Sequence, residues 1–214
     1  MIYLVGGGPI DHQWLVSLKQ EEARWIGVDR GTDKLIKAGA SVERAFGDFD
    51  SVSKEEYERI VSFVPTIETA EPEKNETDLE MALKWALQQS QPIRLIGVTG
   101  GRLDHFMGNL QLLVSHPVLK HSHPVEILDE QNRIAVYEKG EYEIRNDTAY
   151  RYLSFIPITQ EVEKLTLTRV KYPLTDHNVK MGTTLTISNE FIAPSASISF
   201  QSGILMMIRS KDNT

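Results

Sequence analysis

Cysteine is absent from the 214 residues. That excludes disulfides and thiolate metal ligation and fits a reducing compartment, so a cytoplasmic location is the expectation. Long hydrophobic runs are missing too. No apolar stretch approaches the ~20 residues needed to cross a bilayer, so no membrane role is expected. The apolar run from Met1 to Gly8 has no basic leader or cleavage pattern and is too short for a signal-peptide core. Positive charge is in deficit: 23 Lys and Arg against 30 Asp and Glu give a net charge of −7. With no basic block, general nucleic-acid binding is not expected. The acidity would suit a cationic small substrate, and equally the ordinary solubility charge of a globular protein. Hydrophobic residues at 41% and charged residues at 25% are usual for a soluble fold, and the length suits one large domain or two small ones.

The first part of the chain alternates strand-like and helix-like patterns. Ile2–Val5 is a short apolar run ended by Gly6-Gly7-Gly8-Pro9, followed by a helical stretch around Trp14, Leu15 and Leu18. Trp25–Val28 ends at Asp29-Arg30-Gly31; Thr32–Ala38 reads as helix with Gly39 as its stop. Val42–Phe46 leads into Gly47-Asp48-Phe49-Asp50-Ser51, and Ser53–Phe63 reads as helix. The clearest helix is Thr77–Gln89. Thr77 and Glu80 match a capping box, and Leu79, Leu83, Ala86 and Leu87 share a face. Ile93–Val98 is a strand, and a helix follows from about Leu103 to Ser115 with Phe106, Leu110, Leu113 and Val114 inward. This alternation predicts a mostly parallel sheet covered by helices. After about residue 130 the runs become short and rich in β-formers: 134–137, 142–144, 152–156, 165–167, 184–187, 198–200 and 204–208. Turn residues such as Gly140, Asn146-Asp147, Pro173, Gly182 and Gly203 punctuate them. The expectation is an α/β domain over 1–130 and an all-β sandwich over 131–214.

Chemistry concentrates at the ends of the predicted strands. Asp48 and Asp50, two apart after a strand, can point the same way and share a magnesium ion with phosphate oxygens, because magnesium takes few protein carboxylates and completes its octahedron with phosphate and water. An Asp-rich turn whose side chains bond nearby amides is the plainer alternative. Asp78, beside Thr77, suits either a metal or a helix first turn, where acidic residues favour the dipole. Lys74 just upstream can meet a phosphate near that helix N-terminus, or simply sit at the surface. Gly100-Gly101-Arg102-Leu103-Asp104-His105 joins a strand to a helix. Its glycines allow close ligand approach, and Arg102 offers a fork for phosphate oxygens. Asp104 can accept a proton or touch the metal, and His105 can bind a nucleotide or the backbone. Gly6-Gly7-Gly8 with Asp29 invites a nucleotide reading, but neither the dinucleotide fingerprint nor a Walker loop is present.

Taken together these segments resemble thiamine pyrophosphokinase. The resemblance rests on Val28-Asp29-Arg30-Gly31, Gly47-Asp48-Phe49-Asp50-Ser51, Lys74-Asn75-Glu76-Thr77-Asp78, Thr99-Gly100-Gly101-Arg102-Leu103-Asp104-His105 with Asn109, and Ile187-Ser188-Asn189-Glu190-Phe191. One departure is Asn75, where the family often has Asp. The resemblance implies a two-domain homodimer with sites at the subunit interface. It implies ATP and thiamine as substrates, Mg2+ as cofactor, and thiamine diphosphate and AMP as products. Under it, Asp48, Asp50 and Asp78 hold the metal, while Arg102 and Lys74 offset charge on the departing AMP. Asp104 orients or deprotonates the thiamine hydroxyl. Asp29, Arg30, Gly31, Thr77, Gly101 and His105 hold the nucleotide, and Ser188, Asn189 and Glu190 reach thiamine. An Asp-x-Asp phosphatase, a nucleotide-sugar transferase and a non-catalytic nucleotide or thiamine sensor are the competing readings.

Overall fold

The computed structural model describes residues 1–18, 22–69 and 76–212. They fall into two compact units, Met1–Glu130 and Gln131–Thr214.

In the first unit, the strands are β1 (Ile2–Val5), β2 (Arg24–Val28), β3 (Val42–Phe46), β4 (Ile67–Glu68), β5 (Ile93–Ile96) and β6 (Val125–Leu128). The helices are α1 (His12–Ser17), α2 (Arg30–Lys37), α3 (Lys54–Phe63), α4 (Asp78–Leu87), α5 (Leu103–Leu113) and α6 (His116–Leu119). Every strand pair is parallel, in the order β6-β5-β1-β2-β3-β4. Strand β1 sits centrally and is wholly buried, which is why it reads as an uninterrupted apolar run. From β1 the chain builds outward through β2, β3 and β4, then returns to add β5 and β6 on the other side. The reversal opens a crevice beyond the carboxyl ends of β1 and β5, the usual ligand position in open parallel sheets.

Local chemistry sets the helix starts. Ser53 and Glu56 form a reciprocal capping box on α3. At α4 Thr77 accepts from the Glu80 amide at 3.2 Å, so half of the expected box is present. Helix α2 starts two residues earlier than its apolar pattern suggested. Its first turn packs directly on β1, because a Cβ at Gly31 would overlap the Val5 carbonyl oxygen. Helix α5 buries less than expected: of its four predicted inward residues only Leu113 is fully covered.

The second unit is all-β: β7 (Asn132–Arg145), β8 (Tyr152–Pro157), β9 (Glu161–Thr168), β10 (Leu174–Lys180) and β11 (Ser195–Ser210). All its ladders are antiparallel. Two pairs of expected short strands are fused, 134–137 with 142–144 in β7 and 198–200 with 204–208 in β11. Between Phe200 and Ile204 the register of β11 shifts at Gly203, whose φ is +93°. This irregularity bends the strand without ending it. Before the shift β11 pairs with β9, and after it with β8, while β7 follows along its whole length. The strands thus form one continuous network over a core of Phe155, Leu165, Leu167, Ile198, Leu205 and Met207, among others, rather than two separately paired sheets. Residues 184–187 are turn, not strand, whereas the polar 174–180 run is a strand that apolar patterning missed.

Candidate active site

A cavity of about 800 Å3 occupies the crevice of the first unit. Its walls come from the segments that follow the strands. They include Gly6-Gly7-Gly8 after β1, Asp29 and Arg30 after β2, Ser51 after β3, Thr77 and Asp78 opening α4, and 97–102 after β5. One face of α5 completes it. The two glycine turns pack backbone to backbone. A Cβ on Gly6 would lie 2.8 Å from the Gly97 carbonyl oxygen, and one on Gly8 2.6 Å from it. The side chain of Lys34, on α2, fastens this floor by donating to the carbonyls of Gly7, at 3.0 Å, and Gly8. Burial and neighbouring Arg30 lower its pKa. Lys34 escaped the sequence reading because its partners are main-chain atoms far away in sequence.

Carboxylates meet at one side of the cavity. Asp29, Asp48 and Asp78 each offer an oxygen, and these lie within 4.8 Å of one another. Burial pushes the Asp29 carboxyl up, and Asp78 and Asp48 push it further, to about 7. Burial also raises Asp78, with Asp48 and Asp50 adding to the shift. Oxygen Oδ1 of Asp29 is buried with no hydrogen-bond partner. A carboxylate with a buried, unpartnered oxygen beside two further carboxylates is costly unless a cation supplies the missing charge. The donor set, all hard oxygen, fits a magnesium-like ion. The backbone is strained to achieve this. Asp29 sits at φ +48° and ψ −128°, and Phe49 at φ +58°. Gly47, at φ +149°, has no room for a side chain because a Cβ would overlap Oδ1 of Asp29.

The membership of this cluster differs from the sequence expectation. Strand β3 ends at Phe46, and the turn after it destroys the period-two alternation assumed for Asp48 and Asp50. Asp48 turns toward Asp29, whereas Asp50 donates its amide to Oδ1 of Asp48 at 3.0 Å and stays exposed outside the trio. Among the described residues the carboxylates close enough to share a cation are therefore Asp29, Asp48 and Asp78. The plainer alternative for the Asp-rich turn is present, since Asp48 accepts the Asp50 amide while also joining the carboxylate group.

Arg102 and Asp104 form a two-pronged pair, Nη2 to Oδ2 at 2.6 Å and Nε to Oδ1 at 3.1 Å. Arg102 holds the Asp104 carboxyl down, at about 2, helped by the His105 amide. Both side chains border the cavity, as do Arg30, Thr77, Gly101 and His105. Arg30 is anchored by donating to the Ser51 carbonyl. Thr77 caps α4, and Gly31 serves helix–strand packing instead of lining the cavity. Lys74 and Asn75 lie outside the described residues. Asn109, Glu80 and Gly108 line the cavity as well; Asn109 donates to the Val98 carbonyl at 2.8 Å.

Comparison with known proteins decides the family. A family model for the thiamin pyrophosphokinase catalytic domain matches residues 15–127, and one for the thiamin pyrophosphokinase vitamin B1 binding domain matches 141–205. The chain is 45% identical over 213 residues to the thiamine pyrophosphokinase of Bacillus subtilis, covering 99% of each. The chain belongs to the thiamin pyrophosphokinase family. A crystal structure of the thiamin pyrophosphokinase of Geobacillus thermodenitrificans superposes with a TM-score of 0.90 at 45% identity, covering 100% of this chain and 98% of that one. The yeast thiamin pyrophosphokinase structure, at 13% identity and a TM-score of 0.80 over 98% of this chain and 86% of its own, shares the fold.

Within the region matched by the thiamin pyrophosphokinase B1-binding model, Ser188, Asn189 and Glu190 form a short segment bridged to β8. Ser188 has φ +57°, and its amide donates to the Ser154 hydroxyl at 2.9 Å. Asn189 is buried. Its amide group donates to the Tyr172 carbonyl at 2.8 Å, and its oxygen accepts from the Tyr172 amide at 2.9 Å and from the Glu190 amide. That side chain is committed to holding the loop. Glu190 pairs with Lys171 at 2.8 Å and Arg151 at 3.7 Å, and Lys171 leads in keeping its carboxyl ionised. Around them Tyr172, Leu185 and Ile192 expose more than half of their surface.

Proposed function

We propose that the chain transfers the diphosphate of ATP to the hydroxyl of thiamine, releasing AMP, with the nucleotide held in the glycine-walled cavity. The observation that carries this reading is the cluster of Asp29, Asp48 and Asp78 at a cavity that Asp29 and Asp78 line and two glycine turns floor. Three carboxylates repel one another and a polyphosphate alike, so the arrangement is sensible only with a cation between them. Asp29, Asp48 and Asp78 would hold Mg2+. When bound, the ion would neutralise charge on the phosphate chain and favour expulsion of AMP.

The remaining roles belong to the chain itself. The glycine turns let backbone amides approach phosphate oxygens. Arg102 exchanges Asp104 for a phosphate oxygen and offsets charge on the leaving AMP. Asp104, then released, accepts a hydrogen bond from the thiamine hydroxyl and orients it toward the β-phosphorus. That hydroxyl oxygen bonds to phosphorus, the bond from phosphorus to the α,β-bridging oxygen breaks, and the hydroxyl proton leaves to solvent. Arg30 and His105 flank the nucleotide.

In the second unit, Ser188 and Glu190 are proposed thiamine contacts, with Asn189 holding their loop. The thiazolium is a fixed cation, and Glu190 offers it a carboxylate. The exposed apolar side chains beside this segment support a homodimer in which they are covered. Among the described residues no helix is long and apolar enough to cross a membrane, and a cytoplasmic enzyme is the proposed setting.

The direct test incubates the protein with ATP, magnesium and thiamine. AMP and thiamine diphosphate should appear in equal amounts, and neither without thiamine. Phosphate release with a trapped aspartyl-phosphate on Asp48 would instead support the phosphatase reading. Turnover of a nucleotide sugar would support the transferase reading, and tight binding without product the sensor.

A further inference from the structure

The cavity-facing stripe of α5 runs through Asp104, His105, Gly108, Asn109 and Leu112. Its middle position is a glycine in the interior of a helix, where glycine is destabilising relative to alanine. Packing does not require it. A Cβ on Gly108 would meet nothing within 4 Å, in contrast to Gly31 and Gly47, whose side-chain positions are filled by protein. Nor does φ, since Gly108 is helical. Gly108 itself lines the cavity, and the space beside it is open.

We propose that Gly108 is a specificity-determining residue: it leaves a flat patch of helix backbone on which the purine ring of the nucleotide rests, between His105 and Leu112. The inference rests on the ATP-dependent reading above. A flat ring needs close approach to a surface without a protruding side chain. His105 offers a second ring on one flank and Leu112 an apolar contact on the other. The pyrimidine of thiamine is also flat. The purine is favoured because Gly108 lies within the catalytic-domain match, and the B1-binding match covers a different stretch, 141–205.

The test compares Gly108→Ala and Gly108→Leu with the natural chain, using ATP, AMP and inorganic tripolyphosphate as probes in calorimetry and thiamine KM in the coupled assay. Gly108→Ala should raise the melting temperature by about 1–4 °C through helix propensity, and weaken ATP binding about threefold. Gly108→Leu should weaken ATP and AMP binding at least tenfold, by roughly the cost of displacing one well-packed ring contact. Tripolyphosphate affinity and thiamine KM should hold within about twofold, well under the tenfold step that 1.4 kcal/mol represents. Unchanged ATP and AMP affinity in both variants overturns the proposal. So does an equal loss for tripolyphosphate, which would mark a general distortion, or a rise confined to thiamine KM, which would assign the patch to the other substrate. ATP and AMP binding are measured without turnover, so a natural chain that makes no thiamine diphosphate would sink the proposed reaction while leaving the role of Gly108 to the binding arm.

Discussion

Replacing Asp29 by Asn should stabilise the metal-free protein and at the same time abolish its response to magnesium. The carboxylate oxygens of Asp29, Asp48 and Asp78 lie within 4.8 Å of one another. Two unit charges at that separation repel by about 3.5 kcal/mol at an effective dielectric of 20. Asp48 is exposed and Asp78 half-buried, so solvent screening reduces the relief to about 1–2 kcal/mol. Asn keeps the shape of the side chain. Its oxygen can still accept from the Phe49 amide that Asp29 uses, and its amide can donate to a neighbouring carboxylate. For a chain of this size the gain corresponds to a rise of about 3–6 °C in melting temperature. The assay is a thermal melt at pH 8, where Asp29 is mostly ionised, first with a chelator and then with magnesium at millimolar concentration. The natural chain should gain about 2–3 kcal/mol at magnesium one hundredfold above its dissociation constant. Asp29→Asn should start higher and gain little. A variant that melts below the natural chain in chelator, or that keeps the full magnesium shift, would refute the claim that repulsion here is held in store for a cation.

Asp48→Asn should lower turnover at least a hundredfold at saturating magnesium, while Asp50→Asn, outside the trio, should cost tenfold or less; steady-state rates of AMP release check both. Asp33, buried on α2, accepts from Arg59 of α3 at 2.6 Å and pairs with Lys37, and Asp33→Asn should cost about 1–3 kcal/mol in denaturant unfolding. Burial alone would raise the Asp33 carboxyl, but Lys37 and Arg59 outweigh it and lower it. Its stabilisation is therefore present above the ordinary carboxylate pKa and lost on acidification through the lowered one, so the gap between variant and natural chain should close below about pH 4. Asn189→Ala should destabilise the chain by about 2–3 kcal/mol, because it removes both hydrogen bonds to the Tyr172 main chain and empties the space of a buried side chain; Glu190→Gln should leave the melting temperature unchanged and raise thiamine KM.

Much of the fold was legible in the chain. Ile2–Val5 read as a buried parallel strand because both faces are covered, leaving no polar alternation. Thr77 announced its helix through chemistry confined to four residues. The polar strand Leu174–Lys180 did not show, since most of its side chains face solvent and its place comes from pairing with β9. The fusion at Gly203 was invisible for a similar reason. A glycine between apolar runs signals a turn locally, and only the partners on both sides carry the strand through it.

The sequence by itself determined which chemistry the protein can perform, because residue types fix charge, ligand hardness and hydrogen-bonding capacity: acidic residues at strand ends, glycines where phosphate must approach, an arginine beside an aspartate. Tertiary structure alone decided which acids lie together. The turn at Phe49 carried Asp48 toward Asp29 and left Asp50 outside, and a strained backbone at Asp29 brought in a carboxylate 19 residues upstream of Asp48. Distance between charges is a property of the folded chain, and local spacing cannot report it once the backbone leaves regular geometry.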